Sequence, residues 1–241
     1  MLQVTKGIVF HYVKYSENSV IVKIFTHHFG IQSYILKGLN NKKNKQQRAY
    51  LQPLSLIEIE AIQKENRTIQ SLKAIKIDYA FQSIPFNIYK SSIAFFLAEV
   101  LVKTIKEEES NTSLYDFISS SLIFLDQKPT EFSNFHLIFL AQLSSHFGFQ
   151  PQLETYSENS FFNLQEGSFS NQSPHHPFFS KEPASKFLHQ LFSSSFENME
   201  EIKLSNNQRK ELLSILIDYY SLHIHNLSNF KSRDVFEELF S

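Results

Sequence analysis

Hydrophobic and polar residues alternate through much of the first part of the chain. The clearest case is Leu56–Ala61, where isoleucines at 57 and 59 alternate with glutamates at 58 and 60. A period of two places these two sets on opposite faces of a β-strand. Short runs rich in β-branched residues extend the pattern to five strands. The predicted strands are Thr5–Tyr12, Val20–Phe25, Ile31–Lys37, Leu56–Ala61 and Thr68–Asp78.

The number and length of these strands indicate a fold for the first part of the chain. Five short strands within residues 1–80 suit a small closed barrel of the OB type. Closure removes the two exposed edges that an open five-stranded sheet would present to solvent.

After Pro85 the spacing of apolar residues becomes helical. Phe132–Phe147 is apolar on most sides, so we expect this helix to be central. Gly148 follows it where a helix C-cap uses a left-handed residue, and Ser205 followed by Gln208 is a capping-box signature. The predicted helices are Asn87–Ile105, Thr112–Leu125, Phe132–Phe147, Glu182–Phe196, Ser205–His225 and Ser232–Phe240.

Residues 149–180 lose this periodicity and contain Pro151, Gly167, Pro174 and Pro177. They predict a hairpin-plus-loop insertion around residues 161–167. The sequence therefore predicts a multidomain α+β protein. Residues 1–80 form a five-stranded OB-type barrel that binds nucleic acid, and residues 81–241 form an all-α domain with the irregular insertion at about 149–180.

The net charge of −1 hides an uneven distribution of charged residues. Residues 1–80 contain 12 of the 23 lysines and arginines but only 5 of the 24 acidic residues, a net charge of +7. The remainder of the chain carries a net charge of −8. A basic module joined to an acidic one predicts that the first module binds a polyanion.

The segment 37–48, between the third and fourth predicted strands, contains five cations and no acid. Such a loop neutralises phosphates and gains affinity through counterion release. The cations are Lys37, Lys42, Lys43, Lys45 and Arg48. Nearby Phe25, Phe29 and Tyr34 are candidates for base stacking. The alternative is a solubilising loop beside ordinary core aromatics, and for the individual rings we prefer the core.

The sequence offers no catalytic motif. It has no cysteine, which excludes disulfides, thiol catalysis and thiolate zinc sites. Its five glycines form no phosphate-binding loop, and no Gly-x-Ser-x-Gly is present. The histidine pairs His27-His28 and His175-His176 lack a nearby carboxylate motif, so a structural or solvent-facing role is preferred. We predict a protein that is not an enzyme and needs no metal and no cofactor.

The amino-terminal residues show no export signal, and the most apolar segment, Ile93–Val102, is interrupted by Glu99. This segment is far shorter than the ~20 residues that a membrane helix needs. We therefore expect a soluble, cytoplasmic protein associated with the nucleoid.

Several fragments, taken in order, resemble the RecO family of recombination mediators. A Gly-Ile-Val strand, a Tyr-x-Glu-x-Ser turn, a Phe-Thr strand end, a Lys-Gly loop and a Gln-Pro strand entry follow one another at the amino end. A closing helix and a Lys-Ser tail follow at the other end. The segments are Lys6–Phe10, Tyr15–Thr26, Lys37-Gly38, Leu51–Leu54, Tyr219–Ile224, Lys231-Ser232 and Val235-Phe236.

The resemblance implies a protein that binds single- and double-stranded DNA and anneals complementary strands. It also implies as partners RecR and the C-terminal tail of single-strand-binding protein, and help in loading RecA. The family's barrel cations correspond here to the five of the basic loop, with Lys6, Lys14, Lys23 and Arg67 as weaker candidates. The resemblance also implies a zinc ion held by cysteines in the insertion, as in many relatives, but the insertion has no cysteine here. Packing of phenylalanines is then expected to stabilise it. These are Phe161, Phe162, Phe169, Phe178 and Phe179.

Two other functions stay open at this point. In the first, the barrel of a protein-interaction adaptor binds a peptide rather than DNA, and the basic loop is incidental. In the second, a hydrolase has a site that no motif reveals. Lys186, Lys231 and Arg233 are conceivable receivers of a partner's terminal carboxylate.

Overall fold

The computed structural model describes residues 1–38, 47–64, 66–106, 109–225, 227 and 230. Contacts within the chain divide it into two compact units, residues 1–126 and 127–241. The last barrel strand ends at Tyr79, whereas the first unit continues to residue 126. The domain boundary expected after residue 80 stays a prediction.

The first unit begins with a closed five-stranded barrel. Its strands are β1 (Leu2–Ser16), β2 (Ser19–Thr26), β3 (Gly30–Lys37), β4 (Leu56–Ile62) and β5 (Ile69–Tyr79). They follow the order β1-β2-β3-β5-β4 around the barrel, and β4 pairs with β1 to close it. All neighbouring pairs are antiparallel except β3 and β5, which meet in parallel over three residue pairs from Ser33–Ile69 to Ile35–Ser71. The five-stranded OB-type barrel is confirmed.

Alternating residues of these strands fill the barrel. Ile57 and Ile59 are fully buried, and Glu58 and Glu60 lie on the outer face as predicted. Phe25 and Tyr34 are also fully buried, so the core interpretation is confirmed for these two rings. The absence of a side chain at Gly7 leaves room for Ile24, because a Cβ there would come 2.5 Å from Ile24 Cγ2. The main cluster contains Val9, Val20, Val22, Ile24, Tyr34, Leu36, Leu51, Ile57, Ile59, Ala61, Leu72 and Ile75.

Two helices, α1 (Ile88–Thr104) and α2 (Thr112–Gln127), complete the first unit. The side chain of Asp126, near the end of α2, accepts hydrogen bonds from the backbone N–H groups of Gln82, Ser83 and Ile84 at 2.8–2.9 Å. The Nζ of Lys90 donates to Ser83 Oγ at 2.7 Å and to the main-chain oxygen of Asp126 at 3.0 Å. We call these five residues the Asp126 cluster, which ties the chain leaving the barrel to both helices.

The second unit contains α3 (Phe135–His146), α4 (Ala184–Ser193) and α5 (Asn206–His223). Nine of the twelve residues of α3 are buried, and this helix contacts both α4 and α5, which confirms the prediction that it is central. Gly148 has a φ of +79° at its carboxyl end, as the C-cap predicted. Ser205 and Gln208 form the predicted capping box on α5. The predicted helix Ser232–Phe240 lies outside the described residues.

The insertion forms a small antiparallel sheet of β6 (Phe161–Asn163), β7 (Ser168–Ser170) and β8 (Phe179–Ser180), in the order β7-β6-β8. The predicted hairpin is β6–β7, and β8 is an additional strand. Phe162 is fully buried and its ring centroid lies 4.9 Å from that of Phe169 and 5.5 Å from that of Tyr219. Phe178, expected to pack here, is instead 42% exposed.

Burial makes one side chain of the second unit sensitive to acid. His136 on α3 is 1% exposed, and burial, with a smaller effect of the Arg209 charge, lowers its pKa to about 3. The folded state therefore holds His136 neutral at pH values where the unfolded chain, with a pKa of about 6.5, takes up a proton. The stability from this group is complete above pH 6.5 and declines as the pH falls toward 3.

We expect the free energy of unfolding to fall by about 2 kcal/mol between pH 7 and pH 5 through His136 alone, since one pKa unit is worth about 1.4 kcal/mol. Urea denaturation at the two pH values measures this loss, and the variant His136→Gln should show a pH dependence smaller by that amount. His175→Gln, at an exposed position, is the matched control. An unchanged pH dependence in His136→Gln would contradict the prediction.

Candidate nucleic-acid interface

A cavity of about 1090 Å³ opens on the barrel across the β2–β3 hairpin, β1 and the connection from β4 to β5. We call it the barrel groove. In OB folds the strand 2–3 face and the loop between strands 4 and 5 are the usual surface for oligonucleotides. The described residues that line the groove are Met1, Gln3, Lys23, Phe29, Ile31, Gln32, Ser33, Gln63, Lys64, Asn66, Arg67, Thr68, Gln70 and Lys106.

The groove is positively charged. Its described lining includes the cationic side chains of Lys23, Lys64, Arg67 and Lys106 and no carboxylate. Glu65, in the same connection, lies outside the described residues. Cations gathered in a concave surface attract phosphates and release condensed counterions when a nucleic acid binds.

Side-chain amides form a second component of the groove. Gln3, Gln32, Gln63, Asn66 and Gln70 all line it. Neutral amides bond both to phosphate oxygens and to base edges, so they suit a surface that meets backbone and bases together.

Gln70, which is 5% exposed, bonds the backbone of two residues in the connection between β4 and β5. Its Oε1 accepts from Lys64 N–H at 2.9 Å, and its Nε2 donates to the carbonyl oxygens of Lys64 at 3.0 Å and Arg67 at 2.8 Å. Arg67 N–H also donates to Lys64 O at 3.1 Å. One buried amide therefore holds the backbone of two groove cations. We call this arrangement the Gln70 clasp.

A buried tyrosine holds the start of the same connection. Gln63 Nε2 donates to Tyr34 Oη at 2.9 Å. Burial raises the pKa of Tyr34 to about 12, and its bonds to Gln63 and Thr26 oppose that rise. The hydroxyl is therefore protonated at neutral pH, and Gln63 has a fixed neutral partner inside the barrel.

The turn between β2 and β3 places Phe29 in the groove. Its N–H donates to Thr26 Oγ1 at 3.0 Å, and its carbonyl oxygen accepts from Gln32 Nε2 at 3.1 Å. The side chain is half-buried, in contrast to the fully buried Phe25 and Tyr34. Of the three rings considered from the sequence, Phe29 is the one with a face available to a base.

Two family models match the sequence. The model described as Recombination protein O N terminal covers residues 1–81, and the model described as Recombination protein O C terminal covers residues 85–234. The chain belongs to the RecO family.

Curated RecO proteins match over their whole length. The DNA repair protein RecO of Flavobacterium psychrophilum is 38% identical over 239 residues, 98% of each chain. That of Phocaeicola vulgatus is 37% identical over 241 residues, and that of Porphyromonas gingivalis 31% over 245, each covering all of both chains. The resemblance drawn from the sequence is confirmed, and membership places the chain in a family of recombinational DNA repair.

The structure brings together two of the cations that the RecO resemblance suggested, Lys23 and Arg67. Lys37 is exposed on the outer face of β3, four residues beyond Ser33 and so about 13 Å further along the strand. Lys6 does not line the groove, and its Nζ lies 3.0 Å from Asp78 Oδ1. Lys42, Lys43, Lys45 and the side chain of Arg48 lie outside the described residues.

Sequence reasoning missed two cations of the groove, Lys64 and Lys106. Lys64 had a visible signal, because it lies three positions before Arg67 between two predicted strands. Lys106 follows α1 and reaches the groove only through the tertiary fold. No sequence pattern near Lys106 predicts this contact.

The insertion of this RecO family member does not fit the zinc ion that many relatives hold. The sequence has no cysteine, and within the described ranges no three His, Cys, Asp or Glu side chains are grouped so as to hold a metal. Aromatic rings occupy the interior of the insertion instead. Among the described helices, none combines the length and apolar character needed to cross a bilayer.

Proposed function

We propose that this protein binds single-stranded DNA along the barrel groove and acts as a recombination mediator that carries out no catalysis. The observation that carries the proposal is the cluster of Lys23, Lys64, Arg67 and Lys106 on the surface that OB folds use for oligonucleotides. Family membership supports a role in DNA repair.

Electrostatics supplies the affinity in this proposal. Each phosphate of a single strand that is neutralised contributes a slope of about 0.7 in the logarithm of affinity against the logarithm of salt concentration. Four cations along one groove thus predict strong dependence on salt and little dependence on sequence. Stacking on Phe29 adds about 1–3 kcal/mol for the base that meets it.

The basic loop provides a second set of cations for another strand or for duplex DNA. Lys37 marks its start on the outer face of β3, the same face as Ser33 in the groove. Two strands held near each other by cations repel each other less, so base pairing proceeds without any catalytic residue. We propose strand annealing on this basis, with Lys37, Lys42, Lys43, Lys45 and Arg48 as the loop's DNA-binding residues.

The partners proposed are RecR and the C-terminal tail of single-strand-binding protein, with RecA loaded indirectly. They are supported by family membership. Lys186 is exposed on α4, and Lys231 and Arg233 lie outside the described residues. No residue is assigned to either partner.

A salt-titrated binding assay with fluorescent oligo-dT tests the groove. The variant Lys23→Gln/Lys64→Gln/Arg67→Gln should bind at least about tenfold more weakly and lose about 2 from the salt slope, since each cation contributes about 0.7. A second variant, Lys42→Glu/Lys43→Glu/Lys45→Glu, tests the basic loop in the same assay with duplex DNA added.

Lys76→Gln is the matched control, because Lys76 lies on β5 outside the groove lining and its Nζ is 2.7 Å from Glu58 Oε1. Lys6→Gln removes a second lysine that does not line the groove, and this lysine pairs with Asp78. Both should bind as the wild type does. Unchanged affinity and salt slope in the groove variant would overturn the proposed site.

An adaptor whose barrel binds a peptide is the second candidate. It is favoured by an apolar cavity of about 520 Å³ in the first unit, lined among others by Tyr50, Leu54, Phe81, Ile84 and Phe95. Retained partner binding with no DNA affinity at low salt would support this candidate over the first.

A further inference from the structure

We propose that Gln70 is a positioning residue for DNA binding, acting on phosphates only through Lys64 and Arg67. This inference rests on the proposed function of the barrel groove. Gln70 carries no charge and is 5% exposed, so it has little surface to offer a ligand. Its effect must pass through the residues that its amide holds.

The Gln70 amide makes the hydrogen bonds that the backbone of a neighbouring strand would otherwise make. Its acceptor and donor meet the N–H and C=O of the same residue, Lys64, as a neighbouring backbone would. A third bond reaches Arg67 O at 2.8 Å. One buried side chain thereby satisfies three backbone groups of the connection.

Gln70 lies in the barrel wall where the connection enters the last strand. It is the second residue of β5 and lies opposite Tyr34 in the short parallel pairing of β3 with β5. Tyr34 Oη accepts a hydrogen bond from Gln63 at the start of the same connection. Side chains of two barrel strands therefore bond the connection at Gln63, Lys64 and Arg67.

Backbone bonds that are present before DNA binds lower the entropy that binding must remove. Immobilising a long side chain or its loop on binding costs about 0.5–1.5 kcal/mol for each group. Because Gln70 already bonds the backbone of Lys64 and Arg67, part of this cost is met on folding. Loss of the clasp should leave both charges present but reduce affinity about tenfold, the equivalent of that cost for two groups.

The test is a double-mutant cycle with full-length protein and oligo-dT. Gln70→Met keeps the length and apolar packing of the side chain but removes all three hydrogen bonds. In the wild-type background it should lower affinity about tenfold and leave the salt slope nearly unchanged, because both charges remain. In a Lys64→Gln/Arg67→Gln background it should produce no further loss, because the charges it positions are gone.

An equal loss in both backgrounds would overturn the inference, since Gln70 would then act on DNA directly or through general damage to the barrel. Full affinity in Gln70→Met would overturn it as well. If Gln70→Met fails to fold, Gln70→Asn serves the same cycle, because it stays neutral and is one methylene shorter, so that its amide does not reach Lys64 and Arg67 as that of Gln70 does. A Lys64→Gln/Arg67→Gln protein that binds as the wild type would instead refute the proposed function of the groove.

Discussion

Replacing Asp126 with alanine should lower the free energy of unfolding by about 3–5 kcal/mol. Its carboxylate accepts three backbone hydrogen bonds, and removing it leaves those donors without their acceptor and the Lys90 ammonium without the nearby negative charge. Burial alone would raise the pKa of Asp126, but the bonds from Gln82, Ile84 and Ser83 outweigh it and hold the pKa below its usual value. Urea denaturation at pH 7 measures the loss.

Asp116→Ala on the same helix is the matched control, because its side chain is 70% exposed and its contact with His27 is 3.6 Å long. This change should cost less than about 1 kcal/mol. Comparable losses of unfolding free energy in the two variants would show that the Asp126 cluster stabilises the fold no more than an exposed carboxylate does. Since the pKa of Asp126 is depressed, its contribution is complete above about pH 4 and is lost as the pH falls further.

Replacing Phe162 with alanine should cost about 3–5 kcal/mol, the usual range for a fully buried phenylalanine. Its ring contacts Phe169, Phe192 and Tyr219 with centroid distances of 4.9–6.0 Å. These contacts fill the interior of the insertion with aromatic rings. Thermal and urea denaturation measure the change.

Phe178→Ala makes the same substitution in the same insertion at an exposed ring, and it should change stability by no more than about 0.5 kcal/mol. Adding EDTA to the wild type should leave its Tm unchanged. A Tm lowered by EDTA, or a loss in Phe162→Ala no greater than in Phe178→Ala, would show that packing of this ring is not what stabilises the insertion.

The barrel was predictable because the sequence pattern that marks each strand is local. Alternation of β-branched and polar residues marks each strand, as Leu56–Ile62 shows, and the number of strands then favours closure. The capping box at Ser205 and the C-cap at Gly148 were predictable for the same reason. Each depends on residues within one turn of the chain.

The groove was only partly predictable because it is built from distant segments. Lys23 and Arg67 were candidates by family correspondence, whereas Lys64 and Lys106 meet them only once the barrel has closed and α1 has packed. The register of β2 and β3 likewise decides that Phe25 and Tyr34 are buried, and the turn at 27–29 decides that Phe29 is accessible. Sequence spacing does not distinguish these rings.

The Asp126 cluster had a signal that the sequence analysis did not use. Asp126 lies in the last turn of α2 and Lys90 in the first turn of α1, so each charge opposes the dipole of its own helix. Charges at the unfavourable ends of two neighbouring helices indicate that each has a partner elsewhere. Here the Asp126 carboxylate accepts from the backbone N–H groups of residues 82–84, and Lys90 Nζ donates to Ser83 Oγ and to the main-chain oxygen of Asp126.

The number of residue pairs that join neighbouring strands differs around the barrel and is small between β3 and β5. Only three residue pairs join these strands, whereas β2 and β3 pair over eight. Local opening should therefore begin at this seam, and amide hydrogens at 33–35 and 69–71 should exchange with solvent before those of β2. Because residues on both sides of the seam line the groove, a bound strand would bridge it and slow that exchange.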